Sequence, residues 1–202
     1  LIVRPSIIMG DSRPIIPRSN VILWTLETCN LMRLFPVNEY ANLDIIPVDY
    51  AANAIAKLIF VKRNHTVYHV SAGTKSSSNT LNVTNTINEY FSDKPPFKFV
   101  PIELVSQMKL WTRGRLNEDS QLNQYSFYLN YWQEAFENKE NLRILFAGLE
   151  PYLNFIELGQ IFDNTRLLED TDIGPSEPVH EYIRRSIKYL DDIDVFEGAL
   201  DP

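Results

Sequence analysis

The chain has 202 residues, 45% of them hydrophobic and 12% aromatic, which is enough for one large domain, or one and a half, with a real core. Its 19 Lys and Arg against 26 Asp and Glu leave a formal charge of −7, with acidic residues crowding from Asp191 to Asp201. An acidic chain with no basic stripe argues against nucleic acid, where phosphate neutralisation supplies most of the affinity, and no apolar stretch approaches the roughly 18 residues of a membrane span.

In chain order, residues 1–9 form a β-branched run that ends in the turn Gly10-Asp11-Ser12. Such a run reads as a buried parallel strand, which needs a neighbour on each side. Those neighbours are expected to come from before Leu1, so the chain is expected to begin inside a domain. A helix around residues 20–33 follows, holding the single Cys29. One cysteine excludes an internal disulfide framework and suits a cytosolic protein, and in its apolar run it reads as a small filler rather than a reactive thiol.

A strand at 43–48 then leads into a helix at 49–63. Val48, Ala51, Ala52, Ile55, Leu58 and Ile59 repeat there at the helical period, and Asp49 stands where an N-cap carboxylate accepts free N–H groups. A strand at 66–71, a Gly/Ser/Asn loop whose last residue Thr80 is expected to cap the next helix at 81–91, and a strand at 97–100 complete an alternating α/β layer. Beyond Ile102 strand signals fade and helix signals dominate, which predicts two zones, 1–101 and 102–202. In the second, Tyr125, Phe127, Tyr128, Tyr131, Trp132 and Phe136 read as core. On the last helix Val179, Tyr182, Ile183, Ile187 and Leu190 form the buried stripe, with Arg184, Arg185 and Lys188 on the wet face.

Conventional catalytic patterns are scarce. None of His65, His69 and His180 has a second ligand at helical spacing, so no metal site is expected, and the nucleophile-elbow pattern G-x-S-x-G is absent. The 7 glycines contain no G-x-x-G-x-x-G turn to cradle a pyrophosphate. Tyr90 and Lys94 have the spacing of a Tyr-x-x-x-Lys pair, but Pro95-Pro96 ends the helix where the pair needs it intact.

Two segments nevertheless carry a resemblance: LIVRPSIIMGDSR at 1–13 and DIIPVDYAANAI at 44–55. In this order the chain resembles the extended short-chain dehydrogenases/reductases, in the branch of the fatty acyl-CoA reductases and thioester reductases. Glu150-Pro151-Tyr152 and Phe162-Asp163-Asn164-Thr165 are similar to the helical tail of that branch. The chain departs from it at Pro14-Ile15-Ile16-Pro17, where the family continues with Thr-Gly.

The resemblance implies the C-terminal part of a Rossmann-like α/β domain followed by a mainly helical substrate-binding region. It implies NADP(H) as cofactor, bound mainly by a part not in this chain, with Pro5, Ser6 and Ile7 beside the nicotinamide. Proline there would leave the following amide and carbonyl free to meet the carboxamide. Met9, Gly10, Asp11, Ser12 and Arg13 would face substrate at the sheet's C-terminal edge, with Arg13 contacting a phosphate or carboxyl group. The implied substrate is an acyl thioester on CoA or an acyl carrier protein, reduced to aldehyde or alcohol.

The catalytic Tyr, Lys and Ser are expected upstream, so the chain alone is expected to be inactive and prone to self-association. Two alternatives are a nucleotide-sugar epimerase or dehydratase of the same superfamily, against which Gly10-Asp11-Ser12 argues, and a non-catalytic docking module.

Overall fold

The computed structural model describes residues 1–13, 21–136 and 139–192. The elements run in chain order as β1 (Ile2–Pro5), β2 (Ile7–Ile8), α1 (Val21–Met32), β3 (Leu34–Phe35), β4 (Asn42–Leu43), β5 (Ile45–Ile46), α2 (Val48–Phe60), β6 (Val67–Val70), α3 (Gly73–Ser76), β7 (Ser78–Asn79), α4 (Thr80–Tyr90), β8 (Lys98–Phe99), α5 (Leu104–Thr112), α6 (Ser126–Ala135), α7 (Lys139–Glu157), α8 (Thr165–Asp170) and α9 (Val179–Tyr182). Short 3-10 turns precede α6 and follow α9. The fold is mixed α/β with small sheets, as expected, and it divides into two compact units. The first takes residues Leu1–Arg18, Tyr40–Thr86 and Gly159–Tyr189, and the second Ser19–Glu39, Ile87–Leu158 and Leu190–Pro202. The 101/102 junction lies inside the second unit's long segment, because the chain leaves each unit and returns to it.

In the first unit, the run 1–9 is two strands rather than one. β1 pairs parallel with β6 in the register Ile2↔Val67, and β2 pairs parallel with β5 in the register Ile7↔Ile45. The chain changes partner at Ser6, whose N–H donates to Val70 O at 3.0 Å, while the next N–H, from Ile7, donates to Asp44 O at 3.3 Å. Nor is β1 buried: Ile2 is 53% exposed, and β6 is its partner among the described residues. The core lies behind, where Ile46, Ala51, Ala54, Leu58, Tyr68, Val70 and Leu167 close over one another. Burying a side chain such as Leu58 contributes roughly 1.5–3 kcal/mol.

Capping differs from expectation in both helices. The N-cap of α2 is Pro47, which makes no side-chain cap bond, and Asp49 lies in the first turn. The side chain bonding into the start of α4 is Asn79, whose Oδ1 accepts from Asn82 N at 2.8 Å, while Thr80 is already the first helical residue.

The second unit has its own core. Trp24, Met32, Leu34, Met108, Trp132, Leu145, Phe146 and Leu149 cluster there, and Trp132 Nε1 donates to Met32 O at 2.6 Å. Most of the predicted aromatic cluster packs here, but Phe127 is 62% exposed. The stripe Leu142, Leu145, Phe146, Leu149 and Leu153 holds α7 together through an internal Pro151, because burial of an apolar face outweighs one lost backbone bond.

Candidate functional site

The loop that follows β2 is built from backbone outward. Met9 N donates to Ile46 O at 3.0 Å and Val48 N donates to Gly10 O at 2.9 Å, so β5 and the first turn of α2 fix its path. Gly10 takes φ +64, the left-handed region where a Cβ is strained. Instead of capping its own helix, Asp49 reaches across to Ser12, accepting from its N–H at 2.9 Å and from its Oγ at 2.5 Å. From the other side, Tyr182 Oη donates to Met9 O at 2.9 Å and Arg185 Nε donates to Ser12 O at 2.6 Å. Arg185 is therefore not only a wet-face residue, and its guanidinium also pairs with Glu177. Burial pushes the Tyr182 phenol up, with the charges of Asp49 and Glu177 adding to the shift. It stays a donor.

The five substrate-facing candidates thus share one loop, with unequal exposure. Met9 and Asp11 are buried and shape the loop, while Gly10 and Ser12 are half-buried. Arg13 is exposed over 64% of its side chain and is anchored to Asp11 through Nε at 2.8 Å and Nη2 at 2.5 Å. The hydrogen bonds from Arg13 hold the Asp11 carboxyl below its usual range. Of an arginine's five N–H donors, Asp11 takes two. Pro14 to Pro17, where the sequence departs from the family pattern, lie outside the described residues.

The cofactor candidates are corrected in one respect. The amides of Ser6 and Ile7 are not free, since Val70 O and Asp44 O accept them. The group without a partner is the hydroxyl: Ser6 Oγ is buried and makes no hydrogen bond among the described residues. A buried hydroxyl lacking a partner is unfavourable.

A second constellation, unassigned from the sequence although its residues stood in the quoted motifs, lies elsewhere in this unit. The buried Asp44 accepts from Ala72 N at 2.7 Å and from Phe162 N at 2.8 Å, and Asn164 Nδ2 donates to Ser71 O at 2.9 Å. Gly73 has φ +65, and a Cβ there would lie 2.5 Å from Asn164 Oδ1. This knot borders a cleft of about 490 Å³ lined by Thr74, Lys75, Asp163, Thr165 and Glu169, among others. The signal that could have located it was the Asp and Asn of the two motifs, since short polar side chains that bond to backbone groups tie loops together.

Other candidates resolve as structural residues. Helix α4 ends at Tyr90, so Lys94 lies beyond it, stacked 4.3 Å from the Phe91 ring and paired with Asp191. Cys29 is buried, and desolvation pushes its thiol up, away from reactivity. His180 Nδ1 meets Ser78 Oγ at 2.8 Å. Among the described residues, no group of three or more His, Cys, Asp or Glu could hold a metal ion, and no helix is long and apolar enough to cross a membrane.

The fold is mixed α/β with parallel strand pairs and a loop at the end of β2. The first part of the chain is similar to a known family: residues 1–55 match the family model described as male sterility protein, an NAD-binding family. Two solved structures share the fold. The terminal R domain from the myxalamid PKS-NRPS biosynthetic pathway is 18% identical, with a TM-score of 0.60, over 95% of this chain and 43% of that one. A thiolation-reductase di-domain from an archaeal non-ribosomal peptide synthetase is 16% identical, with a TM-score of 0.56, over 98% of this chain and 36% of that one. The chain therefore spans less than half the length of either. No curated protein matches it by sequence.

Proposed function

We propose that the whole protein is an NADP(H)-dependent reductase of acyl thioesters, and that this chain supplies its substrate-binding part and a few cofactor contacts. The observation that carries this reading is the strand-end loop, with an anchored, exposed Arg13 three residues beyond a left-handed Gly10. It stands at the edge where open α/β sheets bind ligands. The match of residues 1–55 to an NAD-binding family and the likeness to reductase domains that act in PKS-NRPS and non-ribosomal peptide systems support it.

When bound, the nicotinamide supplies hydride to the thioester carbonyl. Ser6 Oγ would hold the carboxamide, since it is the buried polar group beside Pro5 that lacks a partner. Arg13 would hold a phosphate of the phosphopantetheine arm or of CoA, its fork already oriented by Asp11. Ser12, fixed by Asp49, gives the loop its shape rather than a proton. The carrier is CoA or an acyl carrier protein, the product aldehyde or alcohol, and the compartment the cytosol.

The test is a pair of saturation curves on the whole reductase carrying Arg13→Ala. A charge-assisted contact is worth roughly 1.5–3 kcal/mol, so kcat/KM for the thioester should fall about tenfold to a hundredfold while the NADPH curve holds. If the NADPH curve moves instead, the two faces of the site are reversed. If neither moves, Arg13 is a solvated surface residue.

A further inference from the structure

Substrate-facing loops need an element that sets their shape, and here one comes from 165 or more residues away in sequence. We infer that the segment Glu177–Arg185 is a clamp on the loop Met9–Ser12, with Tyr182 and Arg185 as positioning residues for substrate. The inference rests on the reading that this loop faces the thioester.

Three observations carry it. Tyr182 is 1% exposed, and its hydroxyl, unable to reach water, donates to the Met9 carbonyl at 2.9 Å. Its ring also lies under the loop's left-handed turn, with Cε2 3.7 Å from where a Cβ on Gly10 would be. Arg185 donates through Nε to the Ser12 carbonyl at 2.6 Å, while its other arm pairs with Glu177, so the guanidinium is held at two points. The opposite side of the loop is fixed by Asp49 on Ser12 and by Val48 N on Gly10 O. The loop is thus held between the first turn of α2 and the clamp, and the carbonyls of Met9 and Ser12 are spent on the clamp. Arg13, the next residue, inherits its direction from that grip.

Asp49 and Glu177 both lie near Tyr182, so the clamp combines a buried neutral donor with an ion pair. A lysine at 185 would keep the charge but lose the planar fork that serves Ser12 O and Glu177 together. The geometry therefore separates the role of the fork from that of the charge.

The experiment has two arms. In the 202-residue chain, backbone amide exchange is measured by NMR for wild type, Tyr182→Phe and Arg185→Lys. Both variants keep the side-chain bulk, so the protein should remain folded, as the unaltered amides of Leu58 and Val70 would report. Exchange at Ser12 and Arg13 should rise about three- to tenfold, the effect of losing one hydrogen bond that holds the loop. In the whole reductase, Arg185→Lys should raise the thioester KM about tenfold and leave kcat and the NADPH KM within about twofold. Unchanged exchange at Ser12 and Arg13 overturns the clamp, whatever the loop does. Raised exchange with an unmoved thioester KM overturns the substrate-facing reading of the loop, and the positioning role with it.

Discussion

At the scale of single residues, the most consequential side chains are buried polar ones that the sequence pattern did not mark. Arg33 follows α1 with φ +59, a conformation normally left to glycine, and it is fully buried. It is held there by Nε on Asn30 O at 2.7 Å, Nη2 on Asn30 Oδ1 at 2.5 Å, and Nη1 on Asn88 Oδ1 at 2.8 Å, with the Phe97 ring 4.7 Å away. Desolvation lowers its pKa, but an arginine stays charged. Asn30 also donates to the buried Glu27 at 2.9 Å, and burial, opposed by that hydrogen bond, raises the Glu27 carboxyl to about 7. In the unfolded chain Glu27 titrates near 4.5. Between those two values the folded state binds the extra proton, so its stability should fall as pH rises from about 4.5 to about 7 and then level off. The full difference is on the order of 3 kcal/mol, and charge neighbours reduce what is observed. Thermal denaturation across pH 4.5–8 should show this slope in the wild type and lose it in Glu27→Gln. A slope that persists in the variant would assign it to another group.

At the scale of elements, periodicity located what is long and amphipathic and missed some of what is short. α2 was placed within a residue or so at its start, because Ala51, Ala54 and Leu58 recur on a buried face. β3 and β7, two residues each, fell outside every expected strand, whereas β5 and β8, just as short, lie within the expected strands 43–48 and 97–100. The strand 1–9 was located but read as continuous, and its change of partner at Ser6 depends on β5 and β6, not on its own side chains. The same limit explains the caps. Asp49 has the right type and place for an N-cap, yet a tertiary partner, Ser12, takes both its oxygens. For α4 the capping group is Asn79, one residue before the expected Thr80. Asn79→Ala should therefore cost about 1 kcal/mol, read as a lowered urea midpoint at unchanged slope. No change in midpoint would mean that the Asn79 carboxamide contributes nothing to the start of α4. Of the candidate site, Met9 to Arg13 could be found because a strand ending in Gly10-Asp11-Ser12 is local, whereas Tyr182 and Arg185 could not, as nothing near them in sequence points to residue 9.

At the scale of the molecule, two faces of the first unit carry apolar surface that the described residues leave uncovered. Parallel strands occur almost only with both faces packed, yet Leu1 and Ile2 at β1 are each more than half exposed. Helix α2 is apolar on two sides. Ala51, Ala54 and Leu58 are buried, while Val48, Ile55, Ile59 and Phe60 are exposed, Phe60 over 86% of its surface. Asp49, Asn53 and Lys57 keep one side polar, so the apolar arc is wider than the face the core covers. Burying a phenylalanine or isoleucine side chain contributes roughly 1.5–3 kcal/mol, and a two-fold interface counts each residue twice. Four such side chains clear the few kcal/mol by which association is opposed at micromolar concentration only if they pack tightly, so a weak, concentration-dependent dimer is the expected state rather than an obligate one. Light scattering behind a sizing column, run on the 202-residue chain from about 1 to 100 μM, should show the mean mass rising with concentration. Replacing Ile59 and Phe60 with Lys and Ser should shift that rise at least tenfold in concentration, because it removes both large side chains from each copy while leaving Ala51, Ala54 and Leu58 in the core. A monomer throughout the range would show that these faces, although exposed, are not sticky enough to pair. A dimer indifferent to the substitutions would place the contact on the β1 edge, where unpaired backbone groups recruit another strand.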